Sequence, residues 1–345
     1  MKKYIILLSC VILVCVTVMT SCLKVKDPVP QSILKVGLVG GITGFNDAGF
    51  NHAILAGLQQ IAYDFPILCQ ARETPTAADF AANINYFIAN GYNLIITSSY
   101  DAAQATIAAA AANPKTDFII IDYSMASPPA NLQCAVFDVD QSSFPCGFLA
   151  AYWAFKQNQS TPVAGFVAGV DIPEIRQFSV SYTHGVAYFD SIYQKNVGVL
   201  GYFATSFNDS LQGVRLADSL LKQNVSTIFA FGGITGNGAL YKVKEAGKYA
   251  MGVDVDQFYS IPAIGPVLLT SCMKGLGNMT YGLVRSFYYN HFSGGTIVHG
   301  TLDNGGVGIA PFHNFNSQIP DSIKVALNNV ISGIRNGTIK TGWPQ

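Results

Sequence analysis

Three segments in the second half of the chain carry residues suited to binding a small hydroxylated molecule. Asp254 follows an apolar stretch that predicts a buried strand, and a carboxylate there can accept two hydrogen bonds from neighbouring sugar hydroxyls. Lys274 would complete such a cluster, although a solvated helix position explains it equally well. The glycine-rich segment 232–238, which includes Gly233, predicts a loop, and Asp256 is placed either in the cluster or as the cap of the next helix. Together these segments predict a pocket for a polyhydroxylated ligand.

Two further segments supply hydrogen-bonding and aromatic groups that could face the same pocket. The segment 40–51 follows the first predicted strand; its glycines allow close approach of a ligand, Asn46 and Asp47 offer hydrogen bonds, and Phe50 offers an aromatic face. The alternative is a glycine-rich turn with Asn46 or Asp47 capping the following helix. Phe178 could stack on a planar base from the second half of the chain, but a single phenylalanine is more often a core residue.

Short apolar runs alternate with helical patterns along the whole body of the chain. Such alternation with fully apolar strands is typical of parallel sheets covered by helices on both faces. The pattern restarts near residue 163, so we predict an α/β fold with two Rossmann-like lobes that bind a ligand at the carboxyl ends of their strands. The predicted strands are 34–39, 94–96, 117–122, 163–169, 198–203, 227–231 and 249–253, and the predicted helices are 50–63, 77–90 and 102–112.

Composition agrees with a two-lobed binding protein. Twenty Lys and Arg residues balance twenty Asp and Glu residues, and only 12% of the chain is charged. This balance leaves no basic surface for nucleic acid. The 345 residues exceed the roughly 250–300 at which a single hydrophobic core usually divides.

The N-terminus predicts export. Residues 1–21 combine a short basic start with an almost uncharged apolar run, as a signal peptide does, and small residues precede Cys22 as in the lipobox of bacterial lipoproteins. We therefore predict that Cys22 is lipidated, that residues 22–32 form a tether, and that the body is anchored to a bacterial membrane outside the cytoplasm. The alternative is an uncleaved membrane anchor.

Metal, redox and nucleotide-cofactor chemistry have weak support in the sequence. The segment 40–51 lacks the G-x-G-x-x-G spacing of dinucleotide sites, and the segment 232–238 lacks the Lys-Ser/Thr pair of a P-loop. The histidines have no metal spacing, and the cysteines of the body form no C-x-x-C pair, so we interpret the cysteines as small buried residues and predict no cofactor. The residues concerned are His52, His184, His291, His299, His313, Cys69, Cys134, Cys146 and Cys272.

Several blocks in a constant order resemble the basic membrane protein family of substrate-binding lipoproteins, whose known members bind purine nucleosides for an ABC transporter. Residues 47–51 (DAGFN) resemble the family's DKSFN, and residues 165–173 (GFVAGVDIP) resemble its GFVGGMDIP. The further blocks are 206–209, 236–238, 252–257 and 269–274. The resemblance extends from about residue 35 to residue 287.

This resemblance implies a type I periplasmic-binding-protein fold with a nucleoside enclosed between two lobes. The implied division gives 33–140 and 272–292 to the N-terminal lobe, and 141–271 and 293–345 to the C-terminal lobe. It also implies an ABC transporter permease as partner. The implied roles are a base sandwich for Phe50 and Phe178, base or sugar contacts for Asn51 and Asp122, and ribose contacts for Asp254 and Lys274. Gly40, Gly41 and Asn46 stand where family members usually or often carry acids that help to read the base, so base preference stays open.

Two other functions use similar sequence features. A nucleoside hydrolase would need a metal or a nucleophile, but the first loop offers Asp47 as its only carboxylate, and no serine or cysteine is paired with a histidine in a recognisable motif. A ligand-sensing partner of a membrane receptor would use the same fold without chemistry. We therefore predict a binding protein rather than an enzyme.

Overall fold

Two six-stranded sheets form the framework of the protein. The computed structural model describes residues 33–344, so the predicted signal sequence, tether and lipidated Cys22 lie outside the described residues. Sheet I has the strand order β11-β5-β4-β3-β1-β2 and is parallel throughout. Its strands are β1 (Leu34–Val39), β2 (Ile67–Arg72), β3 (Leu94–Ser98), β4 (Asp117–Ile121), β5 (Leu132–Phe137) and β11 (Ile297–Gly300).

Sheet II has the order β12-β10-β9-β8-β6-β7 and is parallel except for its edge strand β12, which runs antiparallel to β10. Its strands are β6 (Val163–Val170), β7 (Gly198–Ala204), β8 (Thr227–Phe231), β9 (Tyr249–Asp254), β10 (Leu268–Lys274) and β12 (Val307–Ile309). The prediction of two parallel α/β lobes is therefore confirmed. All of the predicted strands and helices are present, and none is shifted at either end by more than two residues.

Helices cover the sheets, and several of them carry an apolar stripe at helical spacing. Helix α1 (Phe50–Asp64), for example, buries Ile54, Leu58 and Ile61, which are spaced four and three residues apart. The remaining helices are α2 (Asp79–Ala89), α3 (Ala103–Ala112), α4 (Asp140–Gln157), α5 (Pro173–Tyr193), α6 (Ser210–Leu221), α7 (Gly233–Glu245), α8 (Gln257–Ser260), α9 (Leu276–Tyr288) and α10 (Asp321–Arg335). Short 3-10 helices lie at Tyr100–Ala102, Pro262–Val267 and His313–Phe315.

The segment 232–238 corrects one prediction, because most of it is not a loop but the first half of helix α7. Two of the glycines on this helix pair serve packing. A Cβ on Gly238 would lie 2.1 Å from the carbonyl oxygen of Ser210, and a Cβ on Gly213 would lie 1.8 Å from that of Thr235. Helices α6 and α7 therefore touch along their backbones, which only glycine allows.

The chain crosses between the sheets three times, and two crossings differ from the predicted division. The first crossing lies between β5 and helix α4, near residue 140. The second follows Lys274, because β10 belongs wholly to sheet II. The third lies between Gly300 and Val307, because β11 adds an edge strand to sheet I beside β5. The four residues of β11 are too few, and too exposed, to give an apolar pattern.

The described part of the chain holds no helix with the length and apolar character that crossing a bilayer requires. Within it, four cysteines are unpaired: Cys134, Cys146 and Cys272 are buried and Cys69 is half-buried. The interpretation of these residues as small buried side chains therefore holds for three of the four.

Candidate functional site

The largest group of predicted site residues meets in a cleft at the carboxyl ends of the strands of both sheets. The space between the lining residues, including its open mouth, is about 670 Å³. Sheet I and helix α1 supply one wall, and sheet II with helices α5 and α7 supplies the other. The lining residues include seven of the nine predicted ligand residues, namely Phe50, Asn51, Asp122, Phe178, Gly233, Asp254 and Lys274.

A buried charged group joins the two walls. Lys274, the last residue of β10, places its Nζ 2.6 Å from Asp122 Oδ2 and 3.8 Å from Asp254 Oδ1. Asp122 follows strand β4 of sheet I, whereas Asp254 and Lys274 end strands of sheet II. The Lys274 side chain is only 4% exposed, so the ammonium has exchanged its water for these carboxylates. The ion pair therefore spans the cleft.

The protonation equilibria of this group follow from burial and from mutual attraction. Burial raises the pKa of the Asp254 carboxyl to about 6; Asp122 and Asp47 add to the rise, and Lys274 opposes it. The pKa of the Lys274 ammonium is raised, because the attraction of Asp122 and Asp254 outweighs the lowering that burial alone causes. Lys274 therefore stays protonated and can donate hydrogen bonds to whatever occupies the cleft, whereas Asp254 accepts hydrogen bonds and titrates near pH 6.

The strand ends that carry the site are conformationally strained. Ser99, Asp122 and Asp254 have φ values of 72°, 64° and 68°, in the left-handed region that side chains other than glycine rarely adopt. All three line the cleft at the ends of β3, β4 and β9. Strained residues of this kind cost on the order of 1–3 kcal/mol each and cluster at functional sites. Gly233, which also lines the cleft, has a φ of 58° without that cost.

Aromatic rings flank the charged group on both walls. The Lys274 Nζ lies 5.4 Å from the ring centroid of Phe50 in helix α1 and 5.1 Å from that of Phe178 in helix α5. Phe178 is itself stacked on Phe231, with centroids 5.2 Å apart, and is almost fully buried. It therefore belongs both to the core and to the cleft wall. One ring from each lobe thus lines the cleft.

Asp47 and Asn46 lie outside the cleft lining. The Asp47 carboxylate accepts hydrogen bonds from the backbone N–H groups of Gly49 (3.0 Å), Asn51 (2.8 Å) and His52 (3.1 Å), and from the Thr43 hydroxyl (3.1 Å). This arrangement is the helix-capping role weighed as the alternative, and it leaves the carboxylate little capacity for a ligand. Asn46 is exposed.

Asn51 lines the cleft, but its amide is occupied by the protein. Its Oδ1 accepts from Gly41 N–H and from the Ser98 hydroxyl, both at 2.8 Å, and its Nδ2 donates to Thr43 Oγ1 (2.7 Å) and Asp47 Oδ2 (3.1 Å). These bonds tie the loop after β1 to the end of β3. Asn51 therefore shapes the wall of the cleft.

The same loop also contacts the opposite lobe. The Asn237 amide donates to the carbonyl oxygen of Asp47 (3.0 Å), and the Ser260 hydroxyl donates to that of Ala48 (2.7 Å). Asn237 and Ser260 lie in helices α7 and α8. The two lobes thus meet over one side of the cleft, as in a closed form.

Sequence reasoning missed several lining residues. Ser99, Tyr100 and Asp101 follow β3, Glu174 opens helix α5, and Phe207 precedes helix α6. The first three obey the rule that ligands bind beyond the carboxyl ends of strands, so extending that rule to β3 would have found them. Within residues 33–344, no group of three or more His, Cys, Asp or Glu side chains could hold a metal ion.

Comparison with known proteins identifies a family of similar sequences. Residues 37–338 match the family described as Bmp, ABC transporter substrate-binding protein PnrA-like. The chain is 28% identical to the ABC transporter nucleoside-binding protein BmpA of Lactococcus lactis subsp. cremoris, over 96% of this chain and 98% of that protein. It is also 28% identical to basic membrane protein A1 of Borrelia garinii subsp. bavariensis, over 91% of this chain and 90% of that one.

Among solved structures, an ABC transporter solute-binding protein from Aeropyrum pernix K1 superposes with a TM-score of 0.82 and 20% identity, covering 89% of this chain and 92% of that chain. A second ABC transporter solute-binding protein, from Conexibacter woesei, gives a TM-score of 0.65 and 17% identity, covering 90% and 98%. At these identities the likeness concerns the fold, which is the two-lobed fold of solute-binding proteins.

Proposed function

The chain belongs to the family of PnrA-like ABC transporter substrate-binding proteins, and we propose that its own substrate is a purine nucleoside, held between the two lobes and presented to a membrane permease. The observation that carries this proposal is the buried group of Asp122, Asp254 and Lys274 beside one aromatic ring from each lobe. Such a group suits the two halves of a nucleoside, which are a hydroxylated sugar and a flat base. The relative named as nucleoside-binding supports the same assignment.

The ribose end of the proposed complex uses opposite hydrogen-bonding abilities. An ionised Asp254 accepts from two neighbouring ribose hydroxyls, and the Lys274 ammonium donates to their oxygens. Phe50 and Phe178 stack on the base, which adds apolar contact without selecting one base over another. The proposed role is reversible binding, so the glycosidic bond of the nucleoside is not cleaved.

The charge of the cleft favours nucleosides over nucleotides. Four carboxylates, those of Asp101, Asp122, Glu174 and Asp254, line the cleft, and Lys274 is the one cation among the lining residues. A phosphate group carries about two negative charges near neutral pH. It would therefore meet net repulsion in a water-poor site.

Delivery follows from the fold and from the predicted anchor. We propose that the lobes open by bending at the three crossings and close over the ligand, as hinged binding proteins do. We further propose that Cys22 carries a lipid that holds the protein outside the cytoplasm, near the permease. Mass spectrometry of the membrane fraction for an acylated N-terminal Cys22, with Cys22→Ser as control, tests the anchor.

The decisive experiment is isothermal titration calorimetry of the purified protein against purine nucleosides, pyrimidine nucleosides, free bases, ribose and purine nucleoside monophosphates. We expect binding of purine nucleosides and at least tenfold weaker binding of their monophosphates. Binding of ribose or free base with equal affinity would refute the nucleoside assignment. Chromatography of inosine incubated with the protein supplies the enzymatic control, because release of hypoxanthine would indicate a hydrolase.

The ribose role of Asp254 is tested by Asp254→Asn. Loss of a charged hydrogen-bond partner costs on the order of 1.5–3 kcal/mol, which is roughly tenfold to hundredfold in affinity. The matched control is Asp321→Asn, because the Asp321 side chain is 96% exposed, lies away from the three crossings and is absent from the cleft lining. Equal affinities of the two variants for a nucleoside would remove Asp254 from the site.

A further inference from the structure

The residue after strand β3 is a serine whose backbone conformation is found almost only in glycine. Ser99 has φ 72° and ψ 163°, a combination that is essentially restricted to glycine. Its hydroxyl oxygen is also buried without a hydrogen-bond partner among the described residues. A strained backbone and an unpartnered buried hydroxyl in one residue of the cleft wall are two separate costs. A ligand that hydrogen-bonds to this hydroxyl would explain why the protein keeps a serine at this position.

Asp101, two residues further on, presents a carboxylate to the same part of the cleft. It lines the cleft and has no ion-pair partner among residues 33–344. Burial raises the pKa of Asp101, and the Tyr100 and Ser99 hydroxyls beside the carboxylate lower it by less. The Ser99 hydroxyl lies near Asp101 without the geometry of a hydrogen bond to it. A half-buried carboxylate without a cation is a strong acceptor that favours N–H donors.

These groups lie away from the proposed ribose contacts. The Lys274 ammonium forms ion pairs with Asp122 and Asp254, and none with Asp101 among the described residues. Tyr100 instead packs near Phe207 of the opposite lobe, with ring centroids 6.1 Å apart. A nucleoside whose ribose occupies the Asp254 end therefore directs its base toward Ser99 and Asp101.

We propose that Ser99 and Asp101 make the site selective for guanine: the Ser99 hydroxyl donates to O6, and the Asp101 carboxylate accepts from N1–H and from the N2 amine. This inference rests on the proposed nucleoside function. Guanine offers one acceptor followed by two donors along this edge, which matches one hydroxyl donor followed by two carboxylate acceptors. Hypoxanthine lacks the N2 amine. Adenine turns a lone pair on N1 toward the carboxylate.

The order of affinities follows from this pairing. We expect guanosine to bind best. Inosine lacks one donor and should bind about tenfold more weakly. Adenosine places an acceptor against the Asp101 carboxylate and should bind about a hundredfold more weakly, because two facing acceptors cost more free energy than one missing hydrogen bond. Calorimetry of the wild-type protein with the three nucleosides measures this order. Equal affinities for all three would overturn the selectivity while leaving nucleoside binding intact. Absence of binding by every nucleoside would instead refute the proposed function.

Asp101→Asn changes one acceptor into a donor without changing the shape of the side chain. Xanthosine differs from guanosine in carrying an oxygen acceptor in place of the N2 amine. We expect this variant to lose at least tenfold in guanosine affinity and to gain in xanthosine affinity, so that the preference reverses. The control Asp321→Asn should keep the wild-type order. An unchanged preference in Asp101→Asn would overturn the proposal.

Ser99 offers a second test that separates ligand binding from structure. Ser99→Gly relieves the backbone strain and removes the hydroxyl, so we expect a higher melting temperature together with about tenfold weaker guanosine binding. Ser99→Ala removes the hydroxyl and keeps the Cβ, so we expect the same loss of affinity without the rise in melting temperature. Unchanged guanosine affinity in both variants would overturn the role of the Ser99 hydroxyl.

Discussion

The titration of Asp254 has opposite effects on stability and on ligand binding. An unperturbed aspartate carboxyl has a pKa of 3.8, and burial raises the pKa of Asp254 to about 6 in the folded protein. A carboxyl whose pKa is raised by folding stabilises the folded state when it is protonated. That stabilisation is fully present below pH 4 and is lost as the pH rises through about 6.

The magnitude follows from the size of the pKa change. A rise from 3.8 to about 6, at about 1.4 kcal/mol per unit, corresponds to about 3 kcal/mol between the two ends of the window. The neighbours that set it are Lys274, Asp122 and Asp47. The contribution of Asp254 alone should therefore make the unfolding free energy of the ligand-free protein larger at pH 5 than at pH 7.

Nucleoside affinity should change in the other direction. Ribose hydroxyls donate to the ionised carboxylate, and protonation converts one of its oxygens into a competing donor. We expect guanosine affinity to fall as the pH drops below about 6, while the contribution of Asp254 to stability rises.

Urea unfolding and calorimetric titration, each at a series of pH values from 4.5 to 7.5, measure the two trends. Because other buried carboxyls also titrate, the informative quantity is the difference between the wild type and Asp254→Asn, which cannot titrate at this position. The difference in unfolding free energy should change by about 2 kcal/mol between pH 4.5 and pH 7.5, because about 1 kcal/mol of the effect falls below pH 4.5. A difference that is independent of pH, in both stability and affinity, would refute the buried, ionisable role of Asp254.

Three further predictions concern other parts of the structure. Lys274→Met leaves two buried carboxylates without their cation. We therefore expect the unfolding free energy to fall by about 3–5 kcal/mol and nucleoside binding to be lost. Lys222→Met, at an exposed lysine, is the control. Asp47→Ala removes the acceptor that holds the first turn of α1 and should lower stability by about 1–2 kcal/mol, and nucleoside affinity as well, in parallel unfolding and titration measurements. Gly57→Ala places a Cβ 2.3 Å from the carbonyl oxygen of Gly277 in helix α9 and should lower the unfolding free energy by about 1–3 kcal/mol. Gly282→Ala, with open space around it, should instead stabilise its helix by up to about 1 kcal/mol. Equal melting temperatures of the two variants would contradict the close contact of α1 with α9.

Most of the framework could be predicted because its strands are continuous apolar runs. Strands such as β4 and β8 are buried along almost their whole length, so their sequences need no polar alternation. The short edge strand β11 has no such run, and its membership of sheet I depends on pairing with β5, far away in the sequence. The segment 232–238 was misread because glycines that permit helix contact look the same in sequence as glycines of a loop.

The site could be predicted in part for a related reason. Asp122 and Asp254 stand out because each stands at the carboxyl end of an apolar strand. Lys274 ends β10, whose Thr270, Ser271 and Cys272 interrupt the apolar run, and its role at the ribose came from the family resemblance. Asp101 was missed because Thr97 and Ser98 extend β3 beyond its apolar residues, although both are fully buried. The role of Asp47 as a cap rather than a ligand group depends on the turn geometry of residues 43–52, which spacing alone does not give.

The late position of β11 in the chain has a consequence for biosynthesis. Strand β5 is complete by residue 137, but its outer neighbour, β11, is not made until residues 297–300. Every parallel strand of sheet II is synthesised in the interval. During that time the buried residues of β5 border an open sheet edge, which is a template for pairing with a wrong strand. The period of greatest aggregation risk for this protein is therefore its emergence from the ribosome or the export channel, and the edge of β5 is the place where a chaperone would have most to protect.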